Sequence, residues 1–424
     1  MKFLVFPTLS TILHAWNLPA PLQDVLKMVP GVRSPIPQFM LDMDDPWLIT
    51  NKDWLDKYPD VEITLCSKDS ALWREGAQDR TPPEDLYRKI RIDNNKAGIN
   101  RPGWKNAKDR LNEIKACPAA LDGVRHLYID IYVHSGDSLD NLLWYESETP
   151  SPSIAKLFAE VLASMNNLER LDFGVSAAAT PVFEKAFADV DLTLPSVKYL
   201  VPGKFSHYLV SMCPNLEAVE SGGYFHHWSW NTYDAKLNRT EDAWDALIEA
   251  TKGVSLKEFT LSCGDWSPEK LNLLFESSPK ITTLELQGYL KSNIDRHSYY
   301  ASGNVTEYSE ELQPYLTILS RFSQLEDLRL PSSSSLGLGF DGGAWCGNAY
   351  DGEGGRAYGR SVTQQDAELT EAAGRIVHKA LPTLKRLDIG HHSANMTLGE
   401  DGKVELVWRW TGRMEEYTYE AYPA

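Results

Sequence analysis

What this chain lacks narrows its chemistry before any motif is read. No two of its five cysteines (Cys66, Cys117, Cys213, Cys263, Cys346) stand close enough in sequence for a zinc knuckle or a dithiol pair. An odd, scattered count of that kind suits a reducing compartment better than a disulfide framework. No apolar run approaches the length of a bilayer span, so membrane insertion is not expected. Positive charge is also short. The 42 Lys and Arg face 59 Asp and Glu, a formal net charge of -17, and no window forms a basic patch. Such a chain repels a phosphate backbone, which argues against nucleic-acid binding. There is no Gly-x-Ser-x-Gly elbow, His-Glu-x-x-His helix, phosphate-binding loop or dinucleotide fingerprint. No catalytic residue, cofactor or metal site is therefore expected, and the chain is read as a non-enzyme.

What the chain has is repetition. "MNNLERLDFG" (165–174) returns as "LPTLKRLDIG" (381–390), and the same phrase underlies GVRHLYI, NLERLDF, SVKYLVP, NLEAVES, SLKEFTL, KITTLEL, QLEDLRL and TLKRLDI. These begin at residues 123, 167, 196, 215, 255, 280, 324 and 383. Counted from the first apolar residue of each, apolar residues fall at offsets 0, 3 and usually 5, so the last two line one face of a short strand. Before several copies comes an amphipathic stretch, such as SIAKLFAEVLASM (153–165) or SPEKLNLLFESS (267–278), and then a breaker: Asn166, Pro214, Pro279 or Pro382. A helix–breaker–strand unit cannot bury its own apolar face, so neighbours must stack. The expected fold class is α/β: an irregular leucine-rich-repeat solenoid with a concave parallel sheet and convex helices.

The steps between first apolar positions run from 19 to 59 residues, so the longer ones must carry insertions. One is expected near 222–250, rich in aromatics, and another near 331–363, rich in Gly and Ser and followed by a helix from about Gln364 to Ala380. Residues 1–114 lack the phrase and are expected as a helical N-terminal cap, leaving 115–424 as the repeat domain. The opening MKFLVFPTLSTILHAW imitates a secretory signal, and Asn238, Asn304 and Asn395 head Asn-x-Thr triplets. Pro7, the single Lys2 and a poor cleavage site weigh against secretion, so a cytoplasmic or nuclear location is expected.

Other candidates carry less. Adjacent residues such as His226-His227 and His391-His392 do not face one way, which disfavours joint metal chelation. In GFDGGAWCGNAYDGEGG, counting from Asp341 places Gly343 and Trp345 where a calcium loop needs ligands. Strand alternation instead points to the concave face, where Arg170, Asp172, Glu258, Glu285, Asp327, Arg329, Arg386 and Asp388 would present mixed charge. The candidate partner-binding residues are Arg170, Asp172, Glu285, Arg329 and Asp388, with Trp228, Trp230 and Trp345 as anchors in the insertions.

Two stretches carry a family resemblance. CSKDSALWREGAQDRTPPEDLYRKIRI (66–92), with Leu86-Tyr87-Arg88-x-Ile90-x-Ile92, resembles the segment that follows the F-box in many fungal F-box/leucine-rich-repeat proteins. LGLGFDGGAWCGNAYDGEGG (336–355), followed by a helix and LPTLKRLDIG, is similar to the C-terminal part of members of that group. The resemblance implies a solenoid that recognises protein substrates for a cullin-type ubiquitin ligase, with a Skp-type adaptor docked at the F-box. In residues 1–60, LPAPLQDVL (18–26) matches the opening of that box alone, so the box reads as missing or degenerate. A ligase-independent scaffold is the alternative.

Overall fold

A computed structural model describes residues 87–93, 104–131, 148–221, 242–290, 305–336, 343–344, 347–399 and 404–423. They fall into two compact units. The first holds the described residues up to Leu168 together with Pro181–Leu192, and the second holds Glu169–Thr180 and those from Thr193 onward. The architecture is α/β, with helices alternating with strands that pair mostly in parallel.

In the first unit, β1 (Lys89–Asp93) is followed by α1 (Trp104–Lys115), α2 (Pro118–Gly123), β2 (His126–Ile131) and α3 (Pro152–Ala163). Strands β1 and β2 pair in parallel, Ile90 opposite Leu127 and Ile92 opposite Ile129, all four buried. Strand β1 thus lies inside residues 1–114, expected as a helical cap, and it pairs as rung strands do. The helix from residues 104 to 115 buries Trp104, Ala107, Leu111 and Ile114, a spacing that keeps one face inward. Helix α4 (Thr180–Ala188) brings Phe183 within 5.2 Å of Phe158 (edge to face) and 5.8 Å of Trp104, making an aromatic core.

The second unit runs β3 (Arg170–Val175), β4 (Tyr199–Pro202), α5 (Leu209–Met212), β5 (Ala218–Glu220), α6 (Ala243–Ala250) and β6 (Glu258–Trp266). It continues with α7 (Pro268–Ser277), β7 (Thr283–Leu290), α8 (Val305–Leu319), β8 (Asp327–Leu330), α9 (Gly352–Ala380) and β9 (Arg386–Ile389). Each strand from β3 to β8 pairs in parallel with the next in sequence. Each of the eight phrases leads into one of the strands β2 to β9. Register sets Leu171, Leu200, Val219, Phe259, Leu284, Leu328 and Leu387 side by side, each no more than 1% exposed. This apolar row is the spine of the core. Burying seven such side chains stabilises by about 1.5–3 kcal/mol each before chain entropy is counted.

The joints between rungs repeat as closely as the side chains. The carbonyl of Glu169 accepts the amides of both Lys198 and Tyr199, and that of Lys198 accepts those of Glu217 and Ala218. The same pair of bonds recurs at the carbonyls of Glu217, Lys257, Thr282 and Glu326, and at Arg88 in the first unit. Helix starts are signalled locally. Ser267 caps α7, its hydroxyl accepting from the Lys270 amide at 3.2 Å, with Pro268 at the first helical position. Asp242 caps α6 through the amides of Trp244 and Asp245.

Two expected insertions differ from what is observed. Residues 243–250, at the end of the first, form the helix α6 that precedes β6, as in other rungs. In the second, the helix begins at Gly352 rather than near Gln364. Three of its glycines permit close approach. A Cβ on Gly355 would lie 2.3 Å from the Tyr350 carbonyl carbon, one on Gly359 2.5 Å from the Tyr422 ring, and one on Gly374 2.7 Å from the Trp408 ring.

The end of the sheet also departs from the parallel pattern. Strand β10 (His392–Leu398) runs antiparallel to β9, and β11 (Val404–Val407) antiparallel to β10, followed by α10 (Met414–Ala421). Trp408 and Trp410 stack at 5.5 Å with their planes 3° apart, and both are buried.

Candidate functional site

Strand alternation gives the second unit a second face. Between the buried positions lie two registered rows: Arg170, Tyr199, Ala218, Glu258, Thr283, Asp327 and Arg386, then Asp172, Glu220, Thr260, Glu285, Arg329 and Asp388 on the same strands except β4. All five strand-face residues picked from sequence are in these rows. Their burial is deeper than a solvent face suggests: Asp172, Thr260 and Asp388 are 2%, 6% and 8% exposed.

The charges are held in two clusters. In the first, Arg170 Nε donates to Asp172 Oδ1 at 2.8 Å, while its guanidinium lies 4.2 Å above the Tyr199 ring and 3.6 Å from Glu220. The Tyr199 hydroxyl donates to Glu220 Oε2 at 2.6 Å. Burial, and then the Glu220 carboxylate, push the Tyr199 pKa up. Burial also raises Glu220, against the opposing pull of the Tyr199 hydrogen bond and of Arg170.

In the second cluster, Arg329 Nη1 donates to Glu285 Oε2 at 3.1 Å, and Arg329 Nε sits 3.6 Å from Asp327 and 3.7 Å from Asp388. Arg386 reaches Asp388 at 2.8 Å, and Gln287 Nε2 donates to Glu285 Oε1 at 2.7 Å. Burial raises the Asp327 carboxyl despite Arg329 and Arg386. Across both rows six carboxylates (Asp172, Glu220, Glu258, Glu285, Asp327, Asp388) meet three guanidiniums (Arg170, Arg329, Arg386). The face is acidic, and its side chains are fixed by one another before any partner arrives.

Tyr199 and Glu220 were not singled out from sequence. The signal existed: aligned on the apolar phrase, they occupy the positions of Arg170 and Asp172. The expected anchors Trp228, Trp230 and Trp345 lie outside the described residues, as do His226 and His227.

Two other places bring polar groups together. Asp366 of α9 accepts from the Ser333 hydroxyl and bonds His392 Nε2 at 3.1 Å, and the His392 ring meets the Trp410 face edge-on at 4.8 Å. Burial pushes the Asp366 carboxyl up, but the His392 and Ser333 hydrogen bonds outweigh it and hold it below 3.8, its ordinary value. The serine bonds the carboxylate, not the imidazole, so this order does not activate a hydroxyl nucleophile. At the turns before β4 to β6, a concavity of about 830 Å³ is lined by residues including Lys198, Cys213, Glu217, Lys252 and Lys257. Glu217 binds Lys257 at 2.5 Å and Lys198 at 3.5 Å, and burial pushes the Cys213 thiol up to about 12, keeping it protonated. Among the described residues no three His, Cys, Asp or Glu groups converge as a metal site requires, and no helix is long and apolar enough to cross a membrane.

No protein-family model matches the chain, and no curated protein sequence does either.

Proposed function

We propose that the chain is a protein-recognition module built from leucine-rich repeats, and that the two polar rows of the second unit form its binding surface. The observation that carries this reading is the register of fixed charges across the parallel strands β3 to β9. A broad array of preorganised charged groups gives specificity and steering toward a complementary protein surface. The resemblance of residues 66–92 and 336–355 to F-box/leucine-rich-repeat proteins extends the reading: the partner is a substrate presented to a cullin-type ubiquitin ligase through a Skp-type adaptor.

The test has two arms. Full-length protein is co-expressed with a Skp-type adaptor and resolved by size exclusion; co-elution supports the ligase reading. Absence of co-elution leaves the ligase-independent scaffold, which the short match at residues 18–26 favours. In cells, proximity labelling from the native chain is compared with that from Arg329→Glu. A labelled set unchanged by that charge reversal argues against the strand face as the binding surface.

A further inference from the structure

Between the two arginine clusters lies a stretch of the rows where, among the described residues, strand β6 contributes no cation. Strand β6 supplies Glu258 and Thr260 there, and register places Thr260 between Glu220 of β5 and Glu285 of β7. Two inter-strand steps of about 4.8 Å put the flanking backbones roughly 10 Å apart, which is room for one side-chain head group.

The groups facing this stretch share one character. Phe259 and Leu261 are fully buried on the core side, so Thr260 projects to the polar side, where it is 6% exposed. Its hydroxyl makes no hydrogen bond to another described residue, so its donor and acceptor stay open on that face. Glu258 likewise has no side-chain hydrogen bond or ion pair among the described residues. Glu220 is held by Tyr199 at one oxygen, and Glu285 is held by Arg329 and Gln287. Glu220 and Glu285 repel each other enough that Glu285 adds to the upward shift of Glu220.

Three carboxylates and a hydroxyl oxygen offer acceptors and call for a cation with several donors. An ammonium supplies three and a guanidinium five. The carboxylates stand on separate strands and do not converge as a metal site would. Resting on the reading of this face as a protein-binding surface, we propose that the Glu220–Glu258–Thr260–Glu285 notch seats a lysine or arginine side chain of the partner protein. A seated cation would satisfy Thr260 through its own hydrated or direct donors and relieve the repulsion between the glutamates.

The experiment measures fluorescence anisotropy of two labelled peptides, alternating Lys–Ser and alternating Glu–Ser, with the full-length chain at physiological salt. The Lys–Ser peptide should bind, and Glu220→Gln with Glu285→Gln should weaken it about tenfold, as loss of charge-assisted hydrogen bonds predicts. A charge-matched control, Glu249→Gln with Glu405→Gln on exposed positions elsewhere, should change affinity by less than about twofold. Thr260→Val, which keeps the shape and removes the hydroxyl, should also weaken binding, with circular dichroism melting showing that each variant folds. Equal weakening by both charge pairs would mean diffuse attraction to an acidic chain and would overturn the notch. Preferential binding of the Glu–Ser peptide, lost on Arg170→Gln with Arg329→Gln, would overturn the cation while leaving the strand face as a binding surface. If neither peptide binds, the inference is overturned, and the Arg329→Glu labelling then decides the broader reading by itself.

Discussion

The run from β3 to β9 and the closing segment from β10 to α10 solve the same burial problem with different materials. The run uses aliphatic and phenyl side chains at one offset, each meeting its counterpart one rung away. The closing segment uses an indole pair, antiparallel strands and glycines that let aromatic rings press onto α9. In the first, every contact repeats a local pattern. In the second, each contact is made once, and those onto α9 join residues distant in sequence, Gly359 with Tyr422 and Gly374 with Trp408. Regularity makes the run tolerant of where a rung sits, whereas the closing segment depends on individual fits.

That contrast can be broken experimentally, most forcefully in the middle of the run. Phe259→Ala removes a fully buried ring from the spine and should cost about 3–5 kcal/mol, read as a lowered midpoint in urea unfolding. A loss under about 1 kcal/mol would mean that the row is not the core of this unit. In the closing segment, Gly374→Ala sets two effects against each other. Helix propensity alone favours alanine by about 1 kcal/mol, but the new methyl would stand 2.7 Å from the Trp408 ring. Overpacking costs about 1–3 kcal/mol, so net destabilisation is expected, and a raised melting temperature would show that the indole yields freely.

A smaller effect concerns pH. The folded pKa of Asp366 is lowered, so its pairing stabilises the protein fully above about pH 4 and that contribution fades as pH falls below 3.8. Asp366→Asn should therefore be less stable than the native chain near neutrality, with the difference shrinking under acid; parallel unfolding curves at all pH values would contradict the assignment. The smallest change is expected on the polar face. Glu285→Ala leaves Arg329 near Asp327 and Asp388, and a part-exposed pair of this kind is worth less than about 1 kcal/mol. A shift matching that of Phe259→Ala would mean that the two faces of the sheet had been exchanged.

The run was readable because strand alternation and the Leu-x-x-Leu phrase are local signals. Leu171, Leu284 and Leu387 could be placed on one face from spacing alone, and register then aligned them across strands. The polar rows were readable for the same reason, but their burial was not. Asp172 is covered because Arg170 folds back onto it, a side-chain choice that no periodicity encodes. The first three turns of α9 were missed because Gly352, Gly354, Gly355 and Gly359 argue against a helix by propensity. What selects glycine at 355 and 359 is contact with Tyr350 and Tyr422, the second lying far along the chain. The antiparallel ending was foreshadowed by Asp401-Gly402 between alternating residues, a hairpin signal overshadowed by the stronger repeat.

The shared carbonyl at the head of each strand carries a consequence for how such a chain can change over generations. Because each joint consists of two backbone amides on one backbone oxygen, no particular side chain is needed to make it. Glu169, Lys198, Glu217, Lys257, Thr282 and Glu326 hold equivalent joints with three different side-chain chemistries that take no part in the bond: acid, base and hydroxyl. A duplication or deletion that cuts at two of these points would rejoin the chain through the same pair of bonds. The number of rungs, and with it the length of the charged surface, can therefore grow or shrink in whole steps while the seams stay intact.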